Sequence, residues 1–282
     1  MRNLTRLILL LLLITLLAGC GGGEKYQAPP ANAEVNVAVS ILPQQYFVRK
    51  IGGEHVSVLV MAGPGINPLH YQPPKGQLEA LKERDIYFLM GIPSEKTWLA
   101  SIAEKAPDII LLDSSQEVDK SNGDPHVWLS PQRVAQQAQT IAQGLIAVDP
   151  DHEADYRANL QAFQAELDKL DADIRRVMEK NNTAGKTFIV SHPAWSYFAQ
   201  DYGLTMLSIP ENATDAQLQA LADQAKAKGI DIIFYQRGFD EKSPEKLSQM
   251  LEGGRVMPME PLNPSWEPNL RSVSMMLARS VK

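Results

Sequence analysis

One stretch limits the fold more than any other: Asp149 to Asn182, "DPDHEADYRANLQAFQAELDKLDADIRRVMEKNN". Tyr156, Leu160, Phe163, Leu167, Leu170, Ile174 and Val177 follow one another at alternating steps of four and three. That spacing draws one apolar stripe along a helix of roughly six turns or more. Asp149 reads as its N-cap and Pro150 as its first helical residue, and Asn181-Asn182 ends it. A helix of some thirty residues is about 45 Å long at 1.5 Å per residue. So long a stripe needs a long seat. Either it forms a coiled-coil seam with a second chain, or it lies across two bodies of the same chain.

The flanking sequence favours two bodies. Four short apolar runs precede the helix: Val35–Ser40, Val56–Met61, Asp85–Met90 and Ile109–Asp113. Four more follow it: Lys186–Ser191, Thr205–Pro210, Asp231–Gln236 and Arg255–Glu260. Amphipathic helical segments such as "QLEALKER" and "DAQLQALADQAKAK" fill most gaps. Strand-helix alternation implies parallel sheets covered by helices. The expected fold is therefore α/β, two lobes with parallel four-stranded sheets, joined by a long rigid backbone helix.

The N-terminus places the chain. Arg2 and Arg6 precede an apolar run, Leu7–Leu17, that is too short to span a bilayer. This is the pattern of a secretory signal peptide. It closes on Leu17-Ala18-Gly19-Cys20, which resembles the lipobox of bacterial lipoproteins, cut before the cysteine and lipidated on its thiol. Cys20 is the only cysteine of the 282 residues, so no intrachain disulfide is available. Gly21 to Ala33 lacks a hydrophobic pattern and reads as a tether. The formal charge of −6, with no Lys/Arg cluster, gives no sign of nucleic-acid binding. The expected organisation is signal peptide 1–19, lipidated tether 20–33, first lobe 34–147, linking helix 148–182 and second lobe 183–282. The protein is expected outside the cytoplasm, lipid-anchored to a bacterial membrane and monomeric.

The chain has five histidines. His70, His126 and His192, with Glu260, fall beyond the carboxyl ends of predicted strands, two in each half. Ligands of open α/β sheets bind in the crevice at those ends. If the lobes face each other, three imidazoles and one carboxylate can converge as a divalent-metal set. Each also has a plainer reading: a histidine after a strand is often only a hydrogen-bonded boundary residue, and Glu260 can pair with Arg255 or Arg271. His55 and His152 fall elsewhere and are expected to be solvated.

Six stretches carry a family resemblance: "SILPQQYFVRKIGGEHVSV", "NPLHYQPPKGQLEALKERD", "GDPHVWLSP", "SHPAWSYFAQDYGL", "LSIPENATDAQL" and "MEPLNPSWEPNL". Over nearly the whole mature chain, the sequence resembles the solute-binding lipoproteins of zinc and manganese ABC transporters, the TroA-like family. The resemblance implies two α/β lobes joined by a long helix, one metal in the cleft, and an ABC-transporter permease with its ATPase as partners. It places metal ligands on His126, His192 and Glu260. Histidine at 192, where manganese-type members tend to carry glutamate, points to Zn²⁺ with Mn²⁺ or Fe²⁺ as the alternative. Glu260 stands where aspartate is usual. The first ligand departs furthest: the family pattern Pro-His-x-Tyr-Glu-Pro is here Pro68-Leu69-His70-Tyr71-Gln72-Pro73. His70, one position late, is the expected substitute. Glu211 and Gln236 are expected to line the cleft.

Two other classes remain open on sequence. A zinc metallohydrolase would need an activated water at the position Leu69 empties, but there is no HExxH and no evident general base. A surface adhesin would not need converging histidines. The lipobox reading has a direct consequence. Cys20→Ala is expected to leave the precursor uncleaved or mislocalised; fractionation that recovers normal mature protein at the membrane would refute it.

Overall fold

The computed structural model describes residues 33–120 and 123–281. The signal peptide, Cys20 and nearly all of the tether lie outside the described residues. The first sheet contains β1 (Val35–Ile41), β2 (Val56–Ala62), β3 (Ile86–Leu89) and β4 (Ile110–Asp113), in the order β2-β1-β3-β4. The second contains β5 (Thr187–Val190), β6 (Thr205–Ser208), β7 (Ile232–Tyr235) and β8 (Arg255–Pro258), in the matching order β6-β5-β7-β8. Every pairing is parallel. All eight predicted strands are present: β1 and β2 each run one residue further than expected, and the other six are shorter by one or two residues at one or both ends.

Helices connect them: α1 (Leu42–Gly52), α2 (Lys75–Ala80), α3 (Glu95–Lys105) and α4 (Pro131–Val148) in the first half. The long helix α5 (Glu153–Lys180) follows, and then α6 (Ser196–Asp201), α7 (Asp215–Ala227), α8 (Lys242–Gln249) and α9 (Trp266–Ser280). No helix among the described residues is long and apolar enough to cross a membrane. β1 is buried along almost its whole length because α1 and its neighbours cover both faces.

α5 has 28 residues, about 42 Å at the helical rise. It buries Tyr156, Phe163, Leu167, Leu170, Ile174 and Met178. Met178, not the expected Val177, closes the stripe. A 4-3 alternation averages 3.5 residues per turn, and a straight helix of 3.6 drifts about 20° per heptad against it. By the fourth heptad the inward position has moved on by one residue. The other difference is at the start. The Asp149 side chain makes no cap hydrogen bond; it accepts from His152 Nδ1 at 2.8 Å and from the Tyr156 hydroxyl at 2.5 Å. A 3-10 turn, Pro150–His152, precedes the α-helix proper.

The seat of α5 is its own chain, not a second copy. Toward the first lobe, Asn159 Nδ2 donates to the Ile51 carbonyl at 3.0 Å, and Glu166 pairs with Lys50 at 2.6 Å. Toward the second, Asp171 accepts from the Tyr202 hydroxyl at 3.0 Å, and Asp173 from Arg271 at 2.9 Å. One continuous apolar core runs from the first sheet, through the inner face of α5, to Phe188, Phe198, Trp266 and Leu270. A smaller core of Ile189, Leu218, Leu221, Ile233 and Leu247 covers the other face of the second sheet.

α4 approaches the first sheet closely at Gly144. A Cβ there would lie 2.6 Å from Phe88 Cε1 and 2.9 Å from Leu112 Cδ2, whereas one at Gly76 in α2 would meet nothing within 4 Å. Overpacking a buried contact costs about 1–3 kcal/mol, and replacing helical glycine by alanine returns up to about 1 kcal/mol. Gly144→Ala is therefore expected to lower stability in chemical denaturation, and Gly76→Ala to leave it unchanged or raise it. Equal stabilisation by both would show that α4 does not sit on the sheet at this distance.

Candidate metal centre

Two imidazoles from different lobes meet beyond the carboxyl ends of the strands. His126 lies in the loop after β4 and is 8% exposed. Asp124, two residues earlier, holds it twice: its Oδ1 accepts from the His126 backbone N–H at 3.0 Å and lies 2.6 Å from Nδ1. A carboxylate at Nδ1 fixes the proton there and leaves the Nε2 lone pair free to bind. His192 follows β5, and its Nε2 is hydrogen-bonded to His126 Nε2 at 3.1 Å. Two nitrogens sharing a tetrahedral zinc at 2.0–2.1 Å would be about 3.4 Å apart. The pair is thus spaced almost as one ion would space it, and the donor set fits a divalent transition metal.

Around the pair lies a small recess, open to solvent and lined by Pro68, Leu69, Ile92, Pro125, Trp128, Gln236, Phe239, Pro261 and Leu262. The Phe239 ring lies 4.9 Å from His192, and the Trp128 ring 5.1 Å from His126. Burial, then the neighbouring His126, hold the His192 imidazole below its ordinary 6.5, to about 4; Asp124 opposes the shift. Burial works against the charge of Asp124, but the hydrogen bonds from His126 outweigh it and keep its carboxyl below the ordinary value. The centre is thus two facing ring nitrogens, that of His192 held neutral by burial, with the Asp124 carboxylate behind His126.

The other expected site residues fare differently. Leu69 lines the cavity, while His70 is exposed and its backbone N–H turns back to the Asn67 carbonyl at 3.4 Å. The structure does not bring His70 to the pair: Asn67 Oδ1 accepts from the Leu69 backbone N–H at 2.9 Å, which fixes a tight turn and sends successive side chains apart. Glu260 stands next to the cavity residues Pro261 and Leu262, but its carboxylate faces Arg237, with Oε1 3.4 Å from the backbone N and 3.5 Å from Nη1. Partial burial raises its pKa, against the opposing pull of Arg237. Glu211 is exposed and is not among the lining residues, because the turn at Asn212 (φ 54°) carries it to the surface. Gln236 lines the cavity. Asp124 carried a signal that the sequence reading passed over, an acid two residues before a ligand-type histidine.

His55 and His152 are not simply solvated. Their rings stack at 3.9 Å at the opposite end of the first lobe, with Asp155 on His55 at 3.0 Å and Asp149 on His152 at 2.8 Å. Among the described residues, Glu34, Asp149 and His152 are the one group of three such side chains whose ligand atoms all lie within 4.8 Å of one another.

Two α/β lobes with an imidazole from each meeting in the cleft between them are built to hold a small solute there. Residues 37–279 match the family described as "ZnuA: Zinc-uptake complex component A periplasmic". The chain belongs to this family of metal-binding ABC-transporter substrate-binding proteins, which are not enzymes. It is similar to the manganese ABC transporter substrate-binding lipoprotein PsaA of Streptococcus mitis, at 25% identity over 88% of this chain and 86% of that one. It is 26% identical to the zinc-binding lipoprotein AdcA of Streptococcus pneumoniae, over 83% of this chain and 50% of that one. A crystal structure of ZnuA superposes with a TM-score of 0.83 and 36% identity, over 88% of this chain and 99% of that one.

The lowered His192 pKa gives the metal-free chain a pH dependence. Between about 6.5 and 4 the unfolded chain binds a proton at this position that the folded chain refuses. Stability should therefore fall as pH drops through that window, by up to roughly 3 kcal/mol at 1.36 kcal/mol per unit. His192→Gln is expected to flatten the fall. Titration of the His192 ring resonances to a midpoint near 6.5 would show that it is not held in this neutral state.

Proposed function

We propose that the chain captures Zn²⁺ between its lobes and delivers it to an ABC-transporter permease for import. The observation that carries this reading is the meeting of His126 and His192, one from each lobe, with their Nε2 atoms 3.1 Å apart. Imidazole ligation suits zinc, whereas carboxylate-rich sites suit manganese. Glu260 completes the set by leaving Arg237. That guanidinium is well exposed, and exposed pairs are worth only about 0–1 kcal/mol, so the rotation is cheap. The lipid on Cys20 would hold the protein at the membrane as a monomer beside its permease and ATPase. Mn²⁺ is the alternative cargo, supported by the manganese-binding relatives.

Metal content of the purified soluble domain, followed by competition titrations of Zn²⁺ against Mn²⁺, tests the reading. Binding only the native state stabilises by about 2.7 kcal/mol at a hundredfold excess over Kd. Zn²⁺ should therefore raise the melting temperature of the wild type, and His126→Ala and His192→Ala should fold but respond weakly. A large zinc-induced shift in both variants would put the site elsewhere. His70→Ala is expected to cost less than about tenfold in affinity, since even outer-shell losses typically reach 10–100-fold. A larger loss would mean that the loop around His70 turns inward when metal binds.

A further inference from the structure

Gln236 presents an unsatisfied oxygen where the metal site lacks a donor. The residue is 5% exposed, and its Oε1 is buried with no hydrogen-bond partner. Its side chain lines the cavity together with His126, His192 and Leu69, and also a smaller recess shared with Ser191 and His192. The position follows from strand register. β5 and β7 pair Val190 with Phe234, so two residues further on, His192 and Gln236 emerge side by side from the same sheet edge. Ser191 Oγ accepts from the Gln236 backbone N–H at 3.3 Å and ties the two ends together.

A buried amide oxygen without a donor is costly in the metal-free fold, and this one belongs to a side chain that lines the cavity beside both imidazoles, where an ion can satisfy it. A carboxamide oxygen is a competent ligand for divalent cations. The first-lobe position that the family resemblance gives to histidine is Leu69, which has no donor atom. We propose that Gln236 Oε1 is a ligand of the bound metal and fills the coordination position that Leu69 cannot. This deepens the metal-capture reading and rests on it. The consequence is a site of one imidazole from each lobe, the Glu260 carboxylate and a neutral amide oxygen, harder than one with a third histidine would be. That softens the preference for Zn²⁺ over Mn²⁺. Replacing the amide by a carboxylate at the same place should soften it further.

The test uses the soluble chain with Zn²⁺ in competition with a chromophoric chelator, and with Co²⁺ as a spectroscopic substitute. Gln236→Leu removes the oxygen and keeps an apolar filling. Its metal-free melting temperature is expected at or above wild type, while zinc affinity falls more than about tenfold and the Co²⁺ absorption changes. Gln236→Glu is expected to restore zinc affinity and to raise Mn²⁺ affinity relative to zinc. A merely structural glutamine would give the reverse: a lower metal-free melting temperature in Gln236→Leu with the zinc affinity kept. Loss of affinity below about tenfold, or an unchanged Co²⁺ spectrum, overturns the assignment while the metal site stands. A wild type that binds no zinc, or a His126→Ala variant that binds like wild type, sinks the metal-capture reading and this ligand with it.

Discussion

Two tryptophans fix the cleft. Trp128, two residues after His126, donates its indole N–H to the Pro261 carbonyl at 2.8 Å; Trp266 donates its own to the Trp128 carbonyl at 2.6 Å. Both side chains are almost fully buried. Pro261 and Trp266 belong to the second lobe and Trp128 to the first, so the bonds stitch the loop that carries His126 onto the segment that carries Glu260. An indole N–H buried without a partner would be costly. The reciprocal bonds therefore specify one relative placement of the lobes, and with it the distance between His126 and His192.

A second clamp lies close behind. Ser130 caps α4 and donates its hydroxyl to Asp201 at the end of α6, at 2.5 Å. Arg133 pairs with the same carboxylate at 3.0 Å in a mostly buried site and lies 4.1 Å over the Tyr197 ring. The Tyr197 hydroxyl donates to the Asp124 carbonyl at 2.9 Å. The residue that orients His126 is thus itself positioned from the other lobe. Together with α5, which is bonded to both lobes, these contacts make the cleft a stiff frame. Small side-chain rotations are easier here than lobe-scale hinge motion.

The histidines separate according to what surrounds them. His192 is held neutral by burial beside a second imidazole, which is the state a metal ligand needs. His152, at the far end of the first lobe, is pushed the other way: its hydrogen bond to Asp149 raises its pKa. The same residue type thus stands as one of a pair of facing imidazoles at the carboxyl ends of the strands and as the hydrogen-bond partner of an acid at their amino ends.

Periodicity and composition by themselves determined the eight strands, the long helix and the division into two lobes, because these depend on local alternation of apolar and polar residues. The position of His126 and His192 past strand ends was equally legible, since parallel sheets gather ligands at that edge. Side-chain direction was not. Whether Leu69 or His70 faces the His126–His192 pair depends on a turn held by the Asn67 side chain, and whether Glu260 points inward depends on Arg237, a residue 23 positions away. The unpartnered oxygen of Gln236 is visible only once β5 and β7 are placed side by side. The sequence carries the periodic elements because each is set by neighbours along the chain. Only the tertiary structure decides the donor set, because donor geometry is set by contacts between segments that meet only when both lobes close around the long helix.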